Sequence, residues 1–393
     1  MKSFYFVLLI LIVYFERINN IFPNNLPIDS EMTLLDDKLI YTNNNDIKIT
    51  SVRDNSYDQT IPINSEITKG IKLIKIDESN FVLFGLSDDN NKFLYFEYSL
   101  LSSFTLKVRT KNFFPIQVHN NDYSIKLVSE KIFILSFVYN NKGYIYRLNL
   151  ENSDYYPSTN NQKTAINNDY DLITTLECDS YDGETIFCIY SLTNRFLEND
   201  YYFYSFENIN ETYFLEKEIK LSSEKIAIPS LLKVEYKNEK KFLICGIEGS
   251  GDPTIYCKYM KIIENEIIED KTYTILQAKG LSITVSFYRQ KSFITLKRYN
   301  YSIFILFEYK SSNPDGIYPS LIICPIDLSM NFFISTISPA LPLIDERGNK
   351  DILMNKDYYL LMIKSERDLT RETKIYKKDF LLNQNIMKFI NLI

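Results

Sequence analysis

The segments Phe242-Leu-Ile-Cys-Gly-Ile247 and Ile255-Tyr-Cys-Lys-Tyr259 decide the fold, because they repeat a pattern from earlier in the chain. The earlier copy reads Phe81-Val-Leu-Phe-Gly-Leu86 and Leu94-Tyr-Phe-Glu-Tyr98, and the two copies align without a gap. Each copy has two apolar segments separated by a polar turn, which is the pattern of a β-hairpin. A supersecondary unit that recurs within one chain indicates a repeat architecture.

Two positions distinguish the copies. Cys245 and Cys257 in the later copy stand where Phe84 and Phe96 stand in the earlier one. Positions that are cysteine together in one copy and aromatic together in the other are expected to face each other across the strands, where cross-strand side chains meet. The alignment therefore predicts the register of both hairpins as well as their existence.

Five further hairpins follow the same order of apolar strand, polar turn and apolar strand. They begin near residues 39, 132, 173, 303 and 358. Apolar segments at 71–76 and 104–109 flank the hairpin that begins at 81, which makes a unit of four strands. Four-stranded meanders that recur along a chain are typical of propeller blades. We therefore predict an all-β fold, a β-propeller of four-stranded meander blades, with seven blades and with six or eight as alternatives.

Other fold classes fit the sequence less well. A β-sandwich also has short alternating strands with turn signals, but it is not expected to repeat one hairpin with aligned special positions. Residues 222–239 and 264–271 contain helix-forming residues, but neither segment sustains an apolar period of 3.6. The 31 Tyr and 27 Phe suit pleated, half-buried surfaces, although an AT-rich genome would also account for part of this excess.

The N-terminus has the features of a secretory signal peptide. Lys2 precedes an apolar run at residues 4–15, which is too short to span a bilayer and suits the core of a signal peptide. Residues 16–22 lack a small-x-small cleavage pattern, so an uncleaved anchor and a buried N-terminal strand are the alternatives. We predict a signal peptide at 1–20 and secretion or display at the extracellular surface. A single β-propeller domain is predicted over 21–393, with the N- and C-terminal strands closing the ring.

The charge pattern narrows the classes of partner. The net charge is −6, acidic and basic residues are interspersed, and no basic stripe stands out. Nucleic-acid binding and a polybasic membrane-surface patch are therefore disfavoured. Beyond the N-terminus no stretch approaches the roughly 18 apolar residues of a membrane-spanning helix, so none is expected. The oligomeric state is not indicated.

The cysteines are expected to form two disulfides within hairpins. Cys178 and Cys188 flank one predicted turn, as Cys245 and Cys257 flank another. Neighbours across two strands lie about 4.5–5.5 Å apart between their Cα atoms, which is within disulfide reach. We predict the bonds Cys178–Cys188 and Cys245–Cys257.

The fifth cysteine has no such partner. Cys324 aligns with the second marked position of the hairpin, and Phe307 occupies the first. We predict that Cys324 is a buried, unpaired thiol. A zinc site is disfavoured because the chain has no C-x₂-C spacing and its only histidine is His119.

No catalytic set is recognisable. His119 is the only histidine that could serve as a base, and a single histidine in a strand pattern usually has no such role. Glycosidases use paired carboxylates that meet at one cleft, and which pairs meet depends on the fold. The pairs considered are Asp36 with Asp37, Asp88 with Asp89, and Glu177 with Asp179. Residues 179–184 resemble a calcium loop weakly and a hairpin turn better.

Known signatures of propeller and nucleotide-binding families are absent. The Ser-x-Asp-x-Gly-x-Thr-Trp box of sialidases does not occur, and the chain has no Trp. No Gly-x-Gly-x-x-Gly or Walker sequence is present, so no cofactor is predicted. No catalytic residue, cofactor-binding residue or metal ligand is therefore assigned.

Two sequons, at Asn210 and Asn300, are predicted N-glycosylation sites. Propellers generally bind through loops that a rigid scaffold holds at one face, and the polar segments 152–169 and 311–319 are candidates. The sequence favours a secreted or cell-surface module that recognises an extracellular protein or glycan. The alternatives are a secreted glycan-acting hydrolase with acidic residues at the central channel, and the propeller portion of a longer surface receptor.

Overall fold

The structure, a computed structural model, consists of strands without any helix in the residues that it describes. These residues are 19–20, 26–27, 30–53, 57–88, 92–101, 105–118, 123–140, 142–152, 154–157, 163–164, 172–193, 199–209, 212–222, 226–236, 239–248, 254–263, 266–277, 294–299, 302–310, 317–325, 348–355, 358–365 and 372–379. The described residues of the segments 222–239 and 264–271, for which helices were considered, lie in strands, as the lack of a helical period predicted.

The strands of the first half form three sheets in chain order. Two short strands, β1 (Asn19–Asn20) and β2 (Leu26–Pro27), precede them and belong to the last sheet. Sheet 1 contains β3 (Met32–Leu35), β4 (Lys38–Asn43), β5 (Asp46–Ser51) and β6 (Tyr57–Pro62). Sheet 2 contains β7 (Lys69–Lys75), β8 (Asn80–Leu86), β9 (Lys92–Leu100) and β10 (Leu106–Gln117). Sheet 3 contains β11 (Ser124–Ser129), β12 (Ile132–Tyr139), β13 (Lys142–Asn149), β14 (Asp154–Pro157) and β15 (Lys163–Thr164).

The second half continues the pattern. Sheet 4 contains β16 (Leu172–Ser180), β17 (Thr185–Thr193), β18 (Asn199–Ile209) and β19 (Thr212–Ser222). Sheet 5 contains β20 (Ile226–Tyr236), β21 (Glu239–Glu248), β22 (Thr254–Ile263) and β23 (Glu266–Gln277). Sheet 6 contains β24 (Ile294–Tyr299), β25 (Ser302–Lys310) and β26 (Ile317–Pro325). Sheet 7 contains β27 (Gly348–Met354), β28 (Tyr358–Ser365) and β29 (Glu372–Asp379), with β1 and β2 paired to β29.

Each sheet is built on an antiparallel meander in which consecutive strands are neighbours, and the exceptions are β15, which pairs with β13, and β1 and β2, which pair with β29. The predicted all-β propeller of four-stranded meander blades is confirmed. Within the described residues there are seven sheets, and sheet 6 has three strands there. The number of blades in the complete molecule stays a prediction.

The first strand of each sheet lies on the inside of the ring. β3 contacts β7, β11 contacts β16, and contacts continue from β16 through β20 and β24 to β27, which contacts β3. At the remaining junction, the hydroxyl of Tyr123, just before β11, donates a hydrogen bond to the carbonyl of Gly70 in β7 at 2.5 Å. We call these first strands the inner strands.

The two ends of the described chain meet in sheet 7. Asn19 and Asn20 pair with Lys377 and Tyr376, so β1 forms the outer strand beside β29. A buried apolar cluster that includes Leu34 of sheet 1 and Leu360 of sheet 7 fills the adjacent junction. β1 lies within the range 1–20 that the sequence analysis assigns to a signal peptide, and residues 1–18 are outside the described part of the chain.

The core lies between successive sheets. Sheets 1 and 2 share one apolar cluster that includes Ile49 and Phe81, and sheets 2 and 3 share another that includes Phe84 and Phe133. Phe81 and Phe84 are on opposite faces of β8 because successive side chains of a strand alternate. Every strand in the middle of sheet 2 is therefore apolar on both faces, which explains the continuous apolar runs in the sequence.

The predicted register of the sheet 2 hairpin is wrong by one residue. Phe84 lies opposite Tyr95, and Phe96 lies opposite Leu83, whereas Cys245 and Cys257 lie directly opposite each other. A shift of one residue moves a side chain to the other face of the sheet. Phe84 therefore packs toward sheet 3 while Phe96 packs toward sheet 1.

The hairpin that begins near 173 occupies a different place in its sheet. It joins β16 and β17, which are the first and second strands of sheet 4. The other predicted hairpins join the second and third strands, as β21 and β22 do in sheet 5. The repeat therefore shifts by one strand at sheet 4, although the cysteine pairing that it suggested is correct.

Candidate functional site at the inner strands

The two predicted disulfides are present. Cys178–Cys188 and Cys245–Cys257 each join residues whose Cα atoms are 4.1 Å apart, and all four cysteines are buried. The first bond joins an inner strand to its neighbour in sheet 4, and the second joins the two middle strands of sheet 5. Each disulfide therefore cross-links a single blade and does not connect two blades.

The predicted partner position of Cys324 is wrong. Cys324 lies opposite Ile303 in the ladder of sheet 6, while Phe307 lies opposite Ser320. Cys324 therefore faces a position four residues earlier along β25 than the alignment implied. The side chain of Cys324 is outside what the structure describes, and its burial as a free thiol stays a prediction.

Several predicted residues lie outside the described part of the chain. These are His119, Asn210, Asn300 and Asp89. Of the candidate loops, 152–169 is in part strand, because β14 and β15 fall within it. β14 is the outer strand of sheet 3, so this stretch is partly scaffold. Of the segment 311–319, residues 317–319 begin β26 and the others are not described.

Two of the carboxylates considered from the sequence, Asp37 and Asp88, have partners in neighbouring residues. Asp37 pairs with Arg53 at 2.5 Å and accepts a hydrogen bond from the side-chain amide of Asn355 at 3.1 Å. Asp88 accepts a hydrogen bond from the hydroxyl of Thr68 at 2.7 Å. The Asn355 bond joins sheets 7 and 1, so this carboxylate helps to hold the ring together.

Glu177 and Asp179 are the two carboxylates that the fold brings to an inner strand beside lysines from neighbouring sheets. Lys126 of β11 approaches Glu177 of β16 at 2.7 Å between Nζ and Oε1. The other Glu177 oxygen accepts the N–H of Leu231 in β20 at 3.2 Å. Glu177 therefore connects sheets 3, 4 and 5. We call Lys126, Glu177, Asp179 and Lys233 the inner-strand network.

Lys233 of β20 completes the inner-strand network. Its Nζ donates hydrogen bonds to the carbonyl of Leu127 at 3.1 Å and to the carbonyl of Ser180 at 2.9 Å, and lies 3.7 Å from Asp179 Oδ1. One ammonium group thus contacts sheets 3 and 4 from sheet 5. An ammonium has three donors and no acceptor, so these oxygens match its hydrogen-bonding capacity.

Asp179 is the most deeply buried acid of the network, with its side chain 6% exposed. Burial raises the pKa of Asp179, while the ammonium groups of Lys233 and Lys126 and the N–H of Ser180 oppose the rise. A raised pKa is a known property of catalytic acids, but ion pairs in a scaffold produce it too. Because its carboxylate is enclosed, the arrangement favours a structural role.

The turn after Asp179 has the geometry of a closed hairpin turn. Asp182 Oδ1 accepts the N–H groups of Glu184 at 2.8 Å and Thr185 at 3.0 Å. Gly183 has φ of 82°, and a Cβ there would lie 3.0 Å from Arg147 and 3.1 Å from Ile132 of sheet 3. The carboxylate oxygen serves the turn backbone, so the turn interpretation of 179–184 is confirmed. Within the described residues no cluster of three or more His, Cys, Asp or Glu side chains is arranged to hold a metal.

Tyr181, at the tip of this turn, reaches into sheet 5. Its hydroxyl oxygen accepts the N–H groups of Val234 and Lys241, each at 2.9 Å, and its single proton can be donated to the carbonyl of either residue, one at a time. Its ring packs on Phe242 with centroids 5.0 Å apart. Burial raises the pKa of Tyr181, so the hydroxyl stays a donor. Sequence reasoning missed this residue, although an aromatic side chain in a polar Asp-Gly turn is a signal that could have found it.

Polar contacts also join sheets elsewhere in the ring. Glu31, just before β3, pairs with Lys72 of β7 at 2.9 Å. Glu97 of sheet 2, whose side chain is 7% exposed, pairs with Lys131 of sheet 3. Such pairs add little stability by themselves because both charges lose water, but they select one alignment of neighbouring sheets. The charged groups near the inner strands therefore act mainly between blades.

No protein-family model and no curated protein matches the sequence. Solved structures with a similar fold include the tricorn protease, with a TM-score of 0.49 and 8% identity over 91% of this chain and 34% of that chain. An acylaminoacyl peptidase of Pyrococcus horikoshii has a TM-score of 0.46 and 12% identity over 88% of this chain and 50% of that chain. The WD40 domain of SCAP from fission yeast has a TM-score of 0.43 and 10% identity over 88% of this chain and 83% of that chain.

This chain thus spans about a third of the length of the tricorn protease and half of the length of the acylaminoacyl peptidase. Identities of this size concern the fold and carry nothing about activity. Among the described residues, none forms a helix that is long and apolar enough to cross a membrane.

Proposed function

We propose that this β-propeller is a secreted or cell-surface module that recognises an extracellular protein or glycan. The observation that carries the proposal is the use of the inner-strand acids: Glu177 and Asp179 are engaged by lysines and backbone groups of neighbouring blades. Because these acids hold neighbouring blades together, we expect recognition to use the loops and edges that the scaffold presents.

The disulfides support the compartment. Disulfides persist in oxidising environments and are rare in the cytosol. Two buried bonds, Cys178–Cys188 and Cys245–Cys257, together with the predicted signal peptide at 1–20, favour the secretory pathway. Glycosylation at Asn210 and Asn300 is part of the same proposal.

The proposal is tested with the full chain expressed in a eukaryotic secretory host. We expect the protein in the medium, with both disulfides found by non-reducing peptide mapping and a mass decrease after deglycosylation. The secreted protein should then bind to a glycan array or to intact cells. Retention in the cytosol with free thiols, or the absence of binding to either target, would contradict the proposal.

A glycan-acting hydrolase is the second candidate, because burial raises the pKa of Asp179 beside a second carboxylate, Glu177. General acids of glycosidases have raised pKa values. Release of reducing sugars from a polysaccharide panel by the wild-type protein, and its loss in Asp179→Asn and Glu177→Gln, would favour the enzyme. Equal background rates for all three proteins would favour the binding module.

A further inference from the structure

The outer strand of sheet 2 has an edge that is suited to binding another strand. β10 contains 12 residues and pairs with β9 on one side, and within the described residues no strand pairs with its other side. The outward N–H of Leu106 is bonded to the side chain of Gln59 at 3.2 Å, and that of Phe113 to the side chain of Asn112 at 2.9 Å. Side-chain amides are weak substitutes that an incoming backbone can displace. We call this edge the β10 edge.

Apolar exposure is concentrated on the same hairpin. Leu101, Val108 and Phe113 are 45%, 46% and 49% exposed, and among the residues whose side chains the structure describes one other large apolar side chain is in this class, Ile268 at 42%. Scattered exposed apolar residues are ordinary, whereas a contiguous group marks an interaction site. Three of four on one β-hairpin is a concentration that the scaffold does not require.

Val108 and Phe113 lie on one face of β10 although they are five residues apart, because a β-bulge between Val108 and Thr110 adds one residue to this strand. They are opposite Tyr98 and Leu94, and both of these belong to the apolar cluster between sheets 1 and 2. Their partners are four residues apart, which corresponds to about 13 Å along the strand. Two exposed apolar side chains at this spacing match residues i and i+4 of an added strand, because alternate residues of a strand share a face.

The charge of the β10 edge indicates which kind of strand would bind there. Lys107, Arg109 and Lys111 are exposed, and β10 contains no acidic residue, although the whole chain has a net charge of −6. Lys111 pairs with Glu66 at 2.6 Å, and Asp77 interacts electrostatically with Arg109. These two acids balance the positive charge of the β10 edge only in part.

A second copy of this chain is a poor occupant. Pairing two β10 edges would bring lysine and arginine of one copy beside those of the other, and like charges across a ladder destabilise it. Lysines on an edge commonly serve to prevent such pairing. That role does not account for the exposed Val108 and Phe113, whereas an acidic strand with apolar residues would satisfy both features.

We propose that the β10 edge binds, by β-strand addition, an extended segment of a partner protein in which apolar residues alternate with Asp or Glu. The added strand would exchange backbone hydrogen bonds with β10, place its apolar side chains over Val108 and Phe113, and direct carboxylates toward Lys107 and Arg109. Backbone pairing supplies affinity in this mode, and alternate side chains supply specificity. The inference rests on the proposed recognition function and names its surface and partner.

The test uses the full chain and labelled synthetic peptides of about eight residues, a usual strand length. One peptide alternates Ile with Glu, a second alternates Ile with Lys, and a third is the acidic peptide with N-methyl groups on alternate backbone nitrogens. Fluorescence anisotropy should show the acidic peptide binding at least about tenfold more tightly than the lysine peptide. N-methylation along the bonded edge should abolish binding, because it removes the donors while keeping the side chains.

A charge reversal tests the surface. Lys107→Glu combined with Arg109→Glu should lower affinity for the acidic peptide at least about tenfold. Lys48→Glu, on a middle strand of sheet 1, is the matched control and should bind as the wild type does. Circular dichroism establishes that both variants are folded.

Equal binding of the acidic and lysine peptides, or binding that survives N-methylation, would overturn the proposal. Self-association of the wild type that the charge reversal abolishes would assign the edge to a second copy instead. If the secreted wild type binds cells and the charge-reversed variant binds them equally well, the β10 edge inference fails while the proposed function stands. If the wild type binds neither cells nor glycans, the proposed function itself fails.

Discussion

The sheet 2 region and the region of sheets 4 and 5 contain similar hairpins that are stabilised in different ways. In sheet 2, Phe84 stacks on Phe93 at 5.4 Å and meets Phe133 of sheet 3 edge-on at 5.2 Å. In sheets 4 and 5, disulfides cross-link the hairpins, and Tyr181 and the inner-strand network join the blades. The same hairpin can therefore be built into a ring by apolar packing or by covalent and polar contacts.

The difference follows from register. Where two cysteines are directly opposite, a disulfide closes across the ladder, as it does at Cys245 and Cys257. Where register shifts by one residue, the corresponding aromatic side chains go to opposite faces and pack against different neighbours, as Phe84 and Phe96 do. An alignment of strands predicts which residues are equivalent in sequence, but the turn decides which of them face each other.

The largest expected effect is the loss of an aromatic side chain in sheet 2. Phe84→Ala should lower the free energy of unfolding by about 3–5 kcal/mol, because Phe84 is completely buried and its neighbours cannot fill the cavity. Phe113→Ala, at a half-exposed position of the same sheet, is the control and should change it by less than about 0.5 kcal/mol. Denaturant unfolding followed by tyrosine fluorescence measures both. Similar losses for the two variants would show that the aromatic core does not support this region.

Removal of a disulfide tests the other region. Cys245→Ala combined with Cys257→Ala should lower the free energy of unfolding by about 2–3 kcal/mol, because a loop of 12 residues is opened in the unfolded chain. Cys324→Ala, which removes a cysteine outside both bonds, is the comparison and should leave the count of disulfides unchanged in thiol titration. A double variant as stable as the wild type would mean that polar contacts alone suffice in sheets 4 and 5.

The Tyr181 hydroxyl should contribute less than a disulfide. Tyr181→Phe leaves backbone groups of Val234 and Lys241 without the hydroxyl that they contact, and should cost about 1–3 kcal/mol. Tyr95→Phe in sheet 2 removes the hydrogen bond to the carbonyl of Leu150 at 3.2 Å and should cost about 1 kcal/mol. Thermal unfolding and hydrogen exchange of β20 and β21 measure the difference. If Tyr95→Phe lowers stability more than Tyr181→Phe does, polar contacts are not the main support of sheets 4 and 5.

The smallest effects concern pH and have opposite signs in the two regions. Burial raises the pKa of Asp179, so the folded protein binds a proton there more readily than the unfolded chain does. The free energy of unfolding therefore gains a contribution at low pH, which is lost as the pH rises through the raised pKa. Asp179→Asn should therefore be most favourable relative to the wild type at neutral pH, with the difference shrinking as the pH approaches about 4.

Asp77 in sheet 2 provides the contrast. Burial alone would raise the pKa of Asp77, but hydrogen bonds from Asn80 and from the N–H of Ser79 lower it overall. Its contribution is present above the ordinary pKa of an aspartate, about 3.9, and is lost as the pH falls through the lowered pKa. Asp77→Asn should destabilise at neutral pH and not in strong acid. Denaturant midpoints from about pH 2 to about pH 8, which span the ordinary pKa of an aspartate, measure both variants, and curves of the same sign would contradict the assignment.

Local patterns predicted much of the fold. The hairpins at 39, 81, 132, 241, 303 and 358 lie where the sequence indicates, since apolar runs of strand length bounded by turn residues leave few alternatives. The cysteine pairs were predictable because only directly opposite strands bring Cα atoms as close as 4.1 Å within a sheet. The position of the hairpin near 173 within its sheet was not predictable, because no local sequence feature distinguishes the first strand of a sheet from the second.

The inner-strand contacts were beyond sequence reasoning. Lysine and glutamate are common in this chain, and the pairing of Lys126 with Glu177 depends on which sheets are neighbours and how far each strand extends. Glu177 and Asp179 were singled out as a possible catalytic pair, and only the packed ring showed that lysines of two other sheets enclose them.

The sequence by itself determined that the chain is a ring of β-hairpin units with two internal cross-links, because strand period, turn residues and cysteine spacing act over a few residues. The tertiary structure alone decided which faces meet, that Tyr181 and Lys233 join three sheets, and that apolar and basic side chains gather at the β10 edge. These outcomes depend on register and on the order of sheets, where a shift of one residue reverses every side chain.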